Sequence, residues 1–167
     1  EDTDDLIKAV GGSATLMPVD LLKLGDLDAL GPTISQKFKH IDIFIANAGL
    51  LGTLGPITHA DAKEFQRVID VNLMANFRLI RTLDPLLQAA RKPRALFMTT
   101  AASVTKGRAY WGSYGVSKAA LESLVRTYAA ETQETALKVN ALSPGAVATD
   151  MRASAKPGED PQSLPQP

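Results

Sequence analysis

Residues 41–49, Ile-Asp-Ile-Phe-Ile-Ala-Asn-Ala-Gly, decide the fold that the sequence predicts. The first six are mostly apolar and include β-branched side chains, which is typical of a strand buried on both faces of a sheet. Small and polar residues, Asn47, Ala48 and Gly49, follow directly. The stretch therefore predicts an inner strand of a parallel sheet, with a loop suited to close backbone approach at its carboxyl end.

Further strand-like runs lie on both sides of this stretch and are separated by segments of helix length. The predicted strands are 14–19, 94–100 and 137–142, and the predicted helices are 27–39, 62–82 and 112–135. Asp61 and Glu64 have the spacing of a capping box at the start of the second helix. Pro18 cannot donate to a ladder, so its strand should lie at a sheet edge. The alternation predicts an α/β fold with a doubly wound parallel sheet and helices on both faces.

Composition narrows the function classes. The 167 residues are enough for one domain, and 18 basic residues balance 18 acidic ones, so nucleic acid and membrane surfaces are not expected partners. The sequence has no cysteine, and its two histidines, His40 and His59, stand apart, which argues against a metal site. The acidic first residues do not resemble a signal peptide, so a cytoplasmic location is expected. Residues 154–167 hold four prolines and predict a loop or tail.

Ligands of open parallel sheets bind outside the carboxyl ends of the strands. The residues that follow the four predicted strands are Asp20, Asn47-Ala48-Gly49, Thr99-Thr100 and Ser143-Pro144-Gly145. All are small or polar. Taken singly, each is also typical of an ordinary turn.

Tyr114 and Lys118 lie one turn apart on a predicted helix. A nearby ammonium lowers the pKa of a phenol, and a tyrosine tuned in this way acts as a general acid or base. The alternative is a surface tyrosine with a solvated lysine. Asn72 continues an apolar helix face, where it is either a functional amide or a core asparagine with satisfied hydrogen bonds.

Taken together, these motifs resemble the classical short-chain dehydrogenase/reductase family over nearly all of residues 6–156. The matching motifs are Asn47-Ala48-Gly49, Val71-Asn72, Thr99-Thr100, Tyr114-Gly-Val-Ser-Lys118 and Pro144-Gly145-Ala-Val147-Ala-Thr149-Asp-Met151. The resemblance implies a Rossmann-type dinucleotide-binding domain, with NAD or NADP as cofactor. It also implies an oxidoreductase that interconverts a small-molecule alcohol and a ketone or aldehyde, working as a homodimer or homotetramer.

The resemblance also implies roles for single residues. Tyr114 would exchange a proton with the substrate oxygen, and Lys118 would lower the pKa of Tyr114 and bind the nicotinamide ribose. Asn72 would hold a water that relays protons to Lys118, and Thr100 would orient the substrate carbonyl. The cofactor-binding residues implied are Asp20, Asn47, Ala48, Gly49, Val71, Tyr114, Lys118, Pro144, Gly145, Val147 and Thr149.

The sequence departs from the family pattern at the catalytic serine. The usual position, thirteen residues before Tyr114, holds Ala101. Thr100 and Ser103 are the candidates for the missing hydroxyl, and the local sequence favours Thr100.

The sequence also departs from the pattern by lacking a glycine-rich turn. The Thr-Gly-x-x-x-Gly-x-Gly turn that cradles the pyrophosphate is absent from the sequence, and Gly11-Gly12 precedes the first predicted strand instead. We therefore expect residues 1–167 to be an incomplete domain that lacks the first two strands and the last strand, within a protein of roughly 230–260 residues. A non-catalytic binding or scaffold subunit and an inactive fragment are the alternatives to an enzyme.

The expected oligomer would form through the helices at about 73–91 and 112–135. The outer face of the second helix is expected to include Leu121, Leu124, Val125 and Tyr128. The alternative is that these residues face the sheet, which must hold for about half of them. The sequence leaves the substrate, and the choice between NAD and NADP, open.

Overall fold

The computed structural model describes residues 2–167 and contains a parallel sheet with the strand order β1-β2-β3. The strands are β1 (Ile43–Ala46), β2 (Arg94–Met98) and β3 (Lys138–Leu142). In the ladder, Ile45 pairs with Leu96, which in turn pairs with Asn140. The predicted α/β class with a parallel sheet is confirmed.

The helices lie between and around these strands. They are α1 (Asp2–Ala9), α2 (Leu24–Leu27), α3 (Leu30–Ser35), α4 (Ala62–Ile69), α5 (Ala75–Gln88), α6 (Ala102–Thr105), α7 (Gly112–Glu131) and α8 (Asp150–Ala155), with 3-10 turns at Ile57–His59 and Pro161–Ser163. Within the described part of the chain, none of them has the length and apolar composition that a membrane crossing requires.

The core lies between the sheet and the helices α5 and α7. Its buried members are Ala46, Ile80, Leu83, Leu87, Ala95, Phe97, Leu121, Val125, Tyr128 and Leu137. Phe44 and Phe97 meet edge to face with ring centroids 5.6 Å apart. Leu121, Val125 and Tyr128 therefore do not form an outer face of α7, and the alternative that they face the sheet is confirmed, because these side chains pack in the core.

The opposite face of β1 is open in the described residues. Ile43 is 64% exposed and Ile45 is 56% exposed in this chain, which spans only part of the predicted domain, so burial of the strand on both faces stays a prediction. The apolar composition of residues 41–46 correctly indicated a strand, but it did not determine what covers each face.

Two predicted elements near the start of the chain differ in the structure. Residues 14–19 form no strand, because no neighbouring strand offers them a ladder in the described chain. The predicted helix 27–39 is divided into α2 and α3 and ends at Ser35. At the start of α3, a Cβ on Gly31 would lie 2.0 Å from the carbonyl oxygen of Thr82, so only glycine allows α3 to pack this closely on α5.

The predicted helix 62–82 is longer in the structure and is interrupted by a π-turn. Helix α4 leads into the π-turn Asp70–Met74, which leads into α5. Asp61 caps α4, since its carboxylate accepts a hydrogen bond from the backbone N of Glu64 at 2.8 Å. The second hydrogen bond of a capping box would run from the backbone N of Asp61 to the Glu64 carboxylate, and the prediction of this bond is wrong. The Glu64 carboxylate instead accepts hydrogen bonds from the backbone N and the hydroxyl of Thr53.

The proline-rich tail folds back on the segment that precedes it. Helix α8 covers the first residues of the predicted tail, and a 3-10 turn forms at Pro161–Ser163. The backbone N of Ala148 donates to the carbonyl oxygen of Pro165 at 2.9 Å. The tail therefore contains helical turns as well as the predicted loop.

Candidate active site

The carboxyl ends of all three strands open into one pocket of about 450 Å³. The predicted site residues that line it are Asn47, Ala48, Gly49, Thr100, Tyr114, Lys118, Pro144, Gly145, Val147 and Thr149. Strand ends of a parallel sheet meet at one edge, which is why residues so far apart in the sequence converge here.

Tyr114 and Lys118 lie one turn apart near the start of α7 and are both largely buried. Tyr114 is 8% exposed and Lys118 is 4% exposed. The Lys118 ammonium donates to the carbonyl oxygen of Met98 at 2.8 Å and lies 5.8 Å from the centroid of the Tyr114 ring. The final residue of β2 thus holds the ammonium beside the phenol.

Burial shifts the pKa of both groups. It lowers the pKa of Lys118 to about 8, since an ammonium loses hydration when it is enclosed. It also raises the pKa of Tyr114, and a hydrogen bond with the Thr100 hydroxyl offsets part of that rise. The expected lowering of the Tyr114 pKa by Lys118 is not found, because in this structure burial dominates and the net shift is upward.

Thr100 and Ser103, the two candidates for the missing serine hydroxyl, lie in different surroundings. Thr100 lines the pocket and interacts with the Tyr114 phenol. Ser103 is exposed on the short helix α6 and does not line the pocket. The geometry therefore favours Thr100 as the hydroxyl donor.

Asn72 lies behind the pocket in the π-turn and is fully buried. Its side-chain oxygen accepts a hydrogen bond from the backbone N of Leu50 at 2.7 Å, and its amide nitrogen donates to the carbonyl oxygen of Leu50 at 2.8 Å and to Ser117 Oγ at 2.9 Å. These bonds join the loop after β1 to α7. Asn72 thus fixes the position of the loop that follows Gly49.

Gly49 lies between Asn72 and Lys118. A Cβ at this position would lie 3.2 Å from Asn72 Oδ1 and 3.5 Å from Lys118 Nζ. The first of these distances is tight, so a side chain here would displace the amide or the ammonium. The absence of a side chain lets the loop after β1 approach both groups.

Two predicted cofactor residues lie away from the pocket. Asp20 is exposed, and its carboxylate accepts a hydrogen bond from the backbone N of Leu22 at 3.0 Å in a local turn. Val71 is buried in the π-turn and does not line the pocket. The structure does not bring either residue together with the others, and their cofactor roles stay predictions.

The pocket also has lining residues beyond the predicted catalytic and cofactor-binding residues. They are Leu51, Met98, Thr99, Trp111, Met151, Arg152 and Ala155. Trp111 packs edge to face against Tyr114, with ring centroids 5.9 Å apart. Met151 ends the Pro144–Met151 motif, and for Arg152 the only available indication was its position directly after that motif.

Comparison with known proteins places these motifs in context. The family model described as enoyl-(acyl carrier protein) reductase matches residues 1–164. The uncharacterized oxidoreductase YciK of Escherichia coli K12 is 39% identical over 138 residues, which are 83% of this chain and 54% of YciK. A 3-oxoacyl-[acyl-carrier-protein] reductase of Synechocystis is 30% identical over 146 residues, which are 87% of this chain and 58% of that protein.

A crystal structure gives the same picture at the level of the fold. A short chain dehydrogenase from Escherichia coli CFT073, complexed with NADPH, superposes with a TM-score of 0.91 at 36% identity, covering 97% of this chain and 68% of that one. The chain thus spans a little over half the length of the curated relatives it matches.

Proposed function

This chain belongs to the short-chain dehydrogenase/reductase family, and from that premise we propose that the complete protein is an NAD(P)-dependent oxidoreductase interconverting an alcohol and a ketone or aldehyde. The observation that carries the proposal is that Tyr114, Lys118 and Thr100 line one pocket, with the Thr100 hydroxyl beside the phenol. Among the similar structures, one is a complex with NADPH, which supports NADP(H) as the cofactor.

The residues present fit the nicotinamide half of such a cofactor. Lys118, Gly145 and Thr149 line the pocket, and the backbone of Gly145 has a φ of +82°, which favours glycine there. We propose that these residues hold the nicotinamide and its ribose. Asn47, Ala48 and Gly49 line the same pocket, and we propose that they lie beside the adenosine ribose. The sequence has no glycine-rich turn for the pyrophosphate.

Tyr114 is protonated at neutral pH, since burial raises the pKa of a phenol that is ordinarily about 10. The protonated phenol is the form that acts as general acid when a carbonyl is reduced. In carbonyl reduction, the nicotinamide supplies a hydride to the carbonyl carbon. Tyr114 donates its proton to the carbonyl oxygen, Thr100 donates a hydrogen bond to the same oxygen, and the product is the alcohol.

Lys118 and Asn72 support this step from behind. When Tyr114 gives up its proton, the Lys118 ammonium stabilises the phenolate, since it lies 5.8 Å from the ring in a buried site. The amide of Asn72 is hydrogen-bonded to Leu50 and Ser117, which favours a positioning role. The water-mediated relay from Asn72 to Lys118 stays a prediction.

The test compares Tyr114→Phe with Tyr110→Phe in the complete protein, using reduction of a panel of ketones followed by NADPH absorbance. Tyr114→Phe should lower kcat by at least about 100-fold, because it removes the proton donor, and should leave NADPH binding nearly unchanged. Tyr110 is exposed and does not line this pocket, so its variant should retain turnover. Retained turnover in Tyr114→Phe would reject the assigned role.

A wild-type protein that binds NADPH but reduces no carbonyl compound would instead favour the non-catalytic alternative. The homo-oligomeric state and the cytoplasmic location stay predictions from the sequence. Size-exclusion chromatography with light scattering measures the first directly.

A further inference from the structure

The charge of the pocket is uneven. Its lining contains two cationic side chains, Lys118 and Arg152, and no aspartate or glutamate from the described residues. Fixed positive charge on the walls of a cleft raises the local concentration of anions. Lys118 lies beside the Tyr114 ring and already has a role in the proposed reaction, so Arg152 is the cation whose role is not yet assigned.

The guanidinium of Arg152 is held in place by Glu159 in the folded-back tail. Arg152 Nε donates to Glu159 Oε2 at 2.5 Å, and Arg152 Nη2 donates to Glu159 Oε1 at 2.6 Å. This bidentate pair fixes the plane of the guanidinium and uses only two of its five N–H groups. Within residues 2–167, Arg152 Nη1 makes no hydrogen bond.

Glu159 stands behind Arg152 and not in the pocket. It lines an adjoining surface cavity that Arg152 borders as well, so Arg152 separates the pocket from its own counter-ion. The backbone of Arg152 is also tied, because its N donates to Thr149 Oγ1 at 3.2 Å. With the backbone and the guanidinium plane both fixed, little conformational entropy is left to lose when a ligand binds.

From this arrangement we propose that Arg152 is an anion-binding residue of the pocket, taking a carboxylate or phosphate group of a ligand that occupies it. The proposal deepens the proposed function and rests on it for what fills the pocket. The anionic group belongs either to the substrate, whose class is then a carbonyl compound with a carboxylate or phosphate, or to the dinucleotide.

Anion binding is measured directly, by NMR titration of the complete protein with malonate and with inorganic phosphate. Trp111 lines the pocket and is the single tryptophan of this sequence, so its indole N–H resonance is a local probe. Both anions should shift it saturably. Arg152→Met should weaken the binding roughly tenfold, because two charge-assisted hydrogen bonds are lost.

The matched control is Arg108→Met. The Arg108 guanidinium carbon lies 5.0 Å from the centroid of the Trp111 ring but outside the pocket, so this variant removes a cation near the same probe. Its anion affinity should equal that of the wild type. Equal affinity in Arg152→Met and the wild type would overturn the proposal.

Two kinetic arms identify the source of the anion. A rise of roughly tenfold in the Kd for NADPH in Arg152→Met assigns the anion to the dinucleotide. An unchanged Kd, with a similar rise in KM for a keto acid and none for its methyl ester, assigns it to the substrate. Because the titration needs no turnover, an inactive protein that still binds malonate through Arg152 would reject the proposed function and keep the anion site.

Glu159→Gln keeps the test decisive if Arg152→Met fails to fold. This variant keeps an amide oxygen that accepts a hydrogen bond from the Arg152 guanidinium, and it removes the negative charge that competes with an incoming anion. Malonate and phosphate should bind more tightly, by about threefold, as expected when one carboxylate near a surface is neutralised. Unchanged or weaker binding in Glu159→Gln would contradict the proposal.

Discussion

Residues 112–118 at the start of α7 and residues 121–128 farther along the same helix both contribute buried side chains, but these lie in different surroundings. In the first half, Ser117 is 0% exposed and Lys118 is 4% exposed, and both make hydrogen bonds to neighbouring polar groups. In the second half, Leu121 is 1% exposed and Val125 is 2% exposed, and both pack in the apolar core.

The difference separates stability from chemistry within a single helix. Burying apolar side chains stabilises the fold by about 1.5–3 kcal/mol each. Burying polar groups costs free energy unless each finds a partner, and a buried ammonium costs more. The second half of α7 therefore anchors the helix on the sheet, which allows the first half to hold Tyr114 and Lys118 in a partly dehydrated site.

The largest expected effect is on stability, from Leu121→Ala in the second half. Removing this buried side chain should lower the free energy of unfolding by about 3 kcal/mol, because transfer and cavity effects add. Leu124→Ala is the matched control, since Leu124 is only partly buried, and it should cost about 1 kcal/mol. Urea denaturation measures both losses in the free energy of unfolding. Equal losses would show that Leu121 contributes no more to the core than the partly buried Leu124 does.

A second prediction concerns the pH dependence that Lys118 gives to stability. The pKa of Lys118 in the folded protein, about 8, is lower than the ordinary lysine value of 10.5, so the unfolded chain binds this proton more tightly. The cost of burying the ammonium is therefore fully present below about pH 8 and is lost as the pH rises toward 10.5. Between pH 7 and pH 10.5, the free energy of unfolding of the wild type should rise by about 3 kcal/mol relative to that of Lys118→Met.

The measurement is urea unfolding of wild type and variant at both pH values, with Lys63→Met as the control for loss of a lysine charge on the exposed surface of α4. A stability difference between wild type and Lys118→Met that stays constant with pH would mean that Lys118 is hydrated in solution. In that case the first half of α7 would contain no buried charge, and the two halves would differ only in amino-acid composition.

The third prediction tests whether the polar groups of the first half are truly paired. Ser117 Oγ accepts a hydrogen bond from Asn72 at 2.9 Å and donates to the carbonyl oxygen of Tyr114 at 2.8 Å. Ser117→Ala should therefore lower the free energy of unfolding by about 1–2 kcal/mol, because it leaves one N–H of the buried Asn72 amide without a partner. Ser123→Ala, an exposed serine on the same helix, should cost much less, and equal losses would argue against the buried pairing.

The same contrast explains which features the sequence could predict. The spacing of Tyr114 and Lys118 fixes their common face, because four residues are close to one helical turn. The spacing does not show which side of α7 meets the sheet, so Leu121, Val125 and Tyr128 could be assigned to either the outer face or the sheet, and they pack in the core. Apolar side chains occur on more than one side of α7, so periodicity alone does not identify the side that meets the sheet.

Loop contacts and pKa shifts were even harder to predict from the sequence. The roles of Glu64 toward Thr53 and of Asn72 toward Leu50 depend on the path of the loop after β1, which no local pattern encodes. The upward pKa shift of Tyr114 depends on how deeply the phenol is enclosed, and the motif spacing contains no information on depth. Strand ends, by contrast, were predictable because parallel topology brings them to one edge.

The smallest expected effect concerns the junction between the two halves of α7. Glu122 follows Lys118 by one turn, and its carboxylate accepts a hydrogen bond from Thr99 Oγ1 at 2.8 Å. Thr99 lies between Met98, which accepts a hydrogen bond from Lys118, and Thr100, which interacts with Tyr114. This bond therefore ties the end of β2 to α7 at the point where the apolar half meets the polar half.

A double-mutant cycle with Thr99→Val and Glu122→Gln measures the strength of that tie. The coupling in the free energy of unfolding should be about 1 kcal/mol, as for one partly exposed hydrogen bond. If the tie positions the site, Thr99→Val should also lower kcat severalfold with little change in KM, whereas Thr127→Val, on the exposed side of α7, should leave both unchanged. A stability coupling without any change in kcat would show that the apolar half of α7 alone is sufficient to hold Lys118 and Thr100 in register.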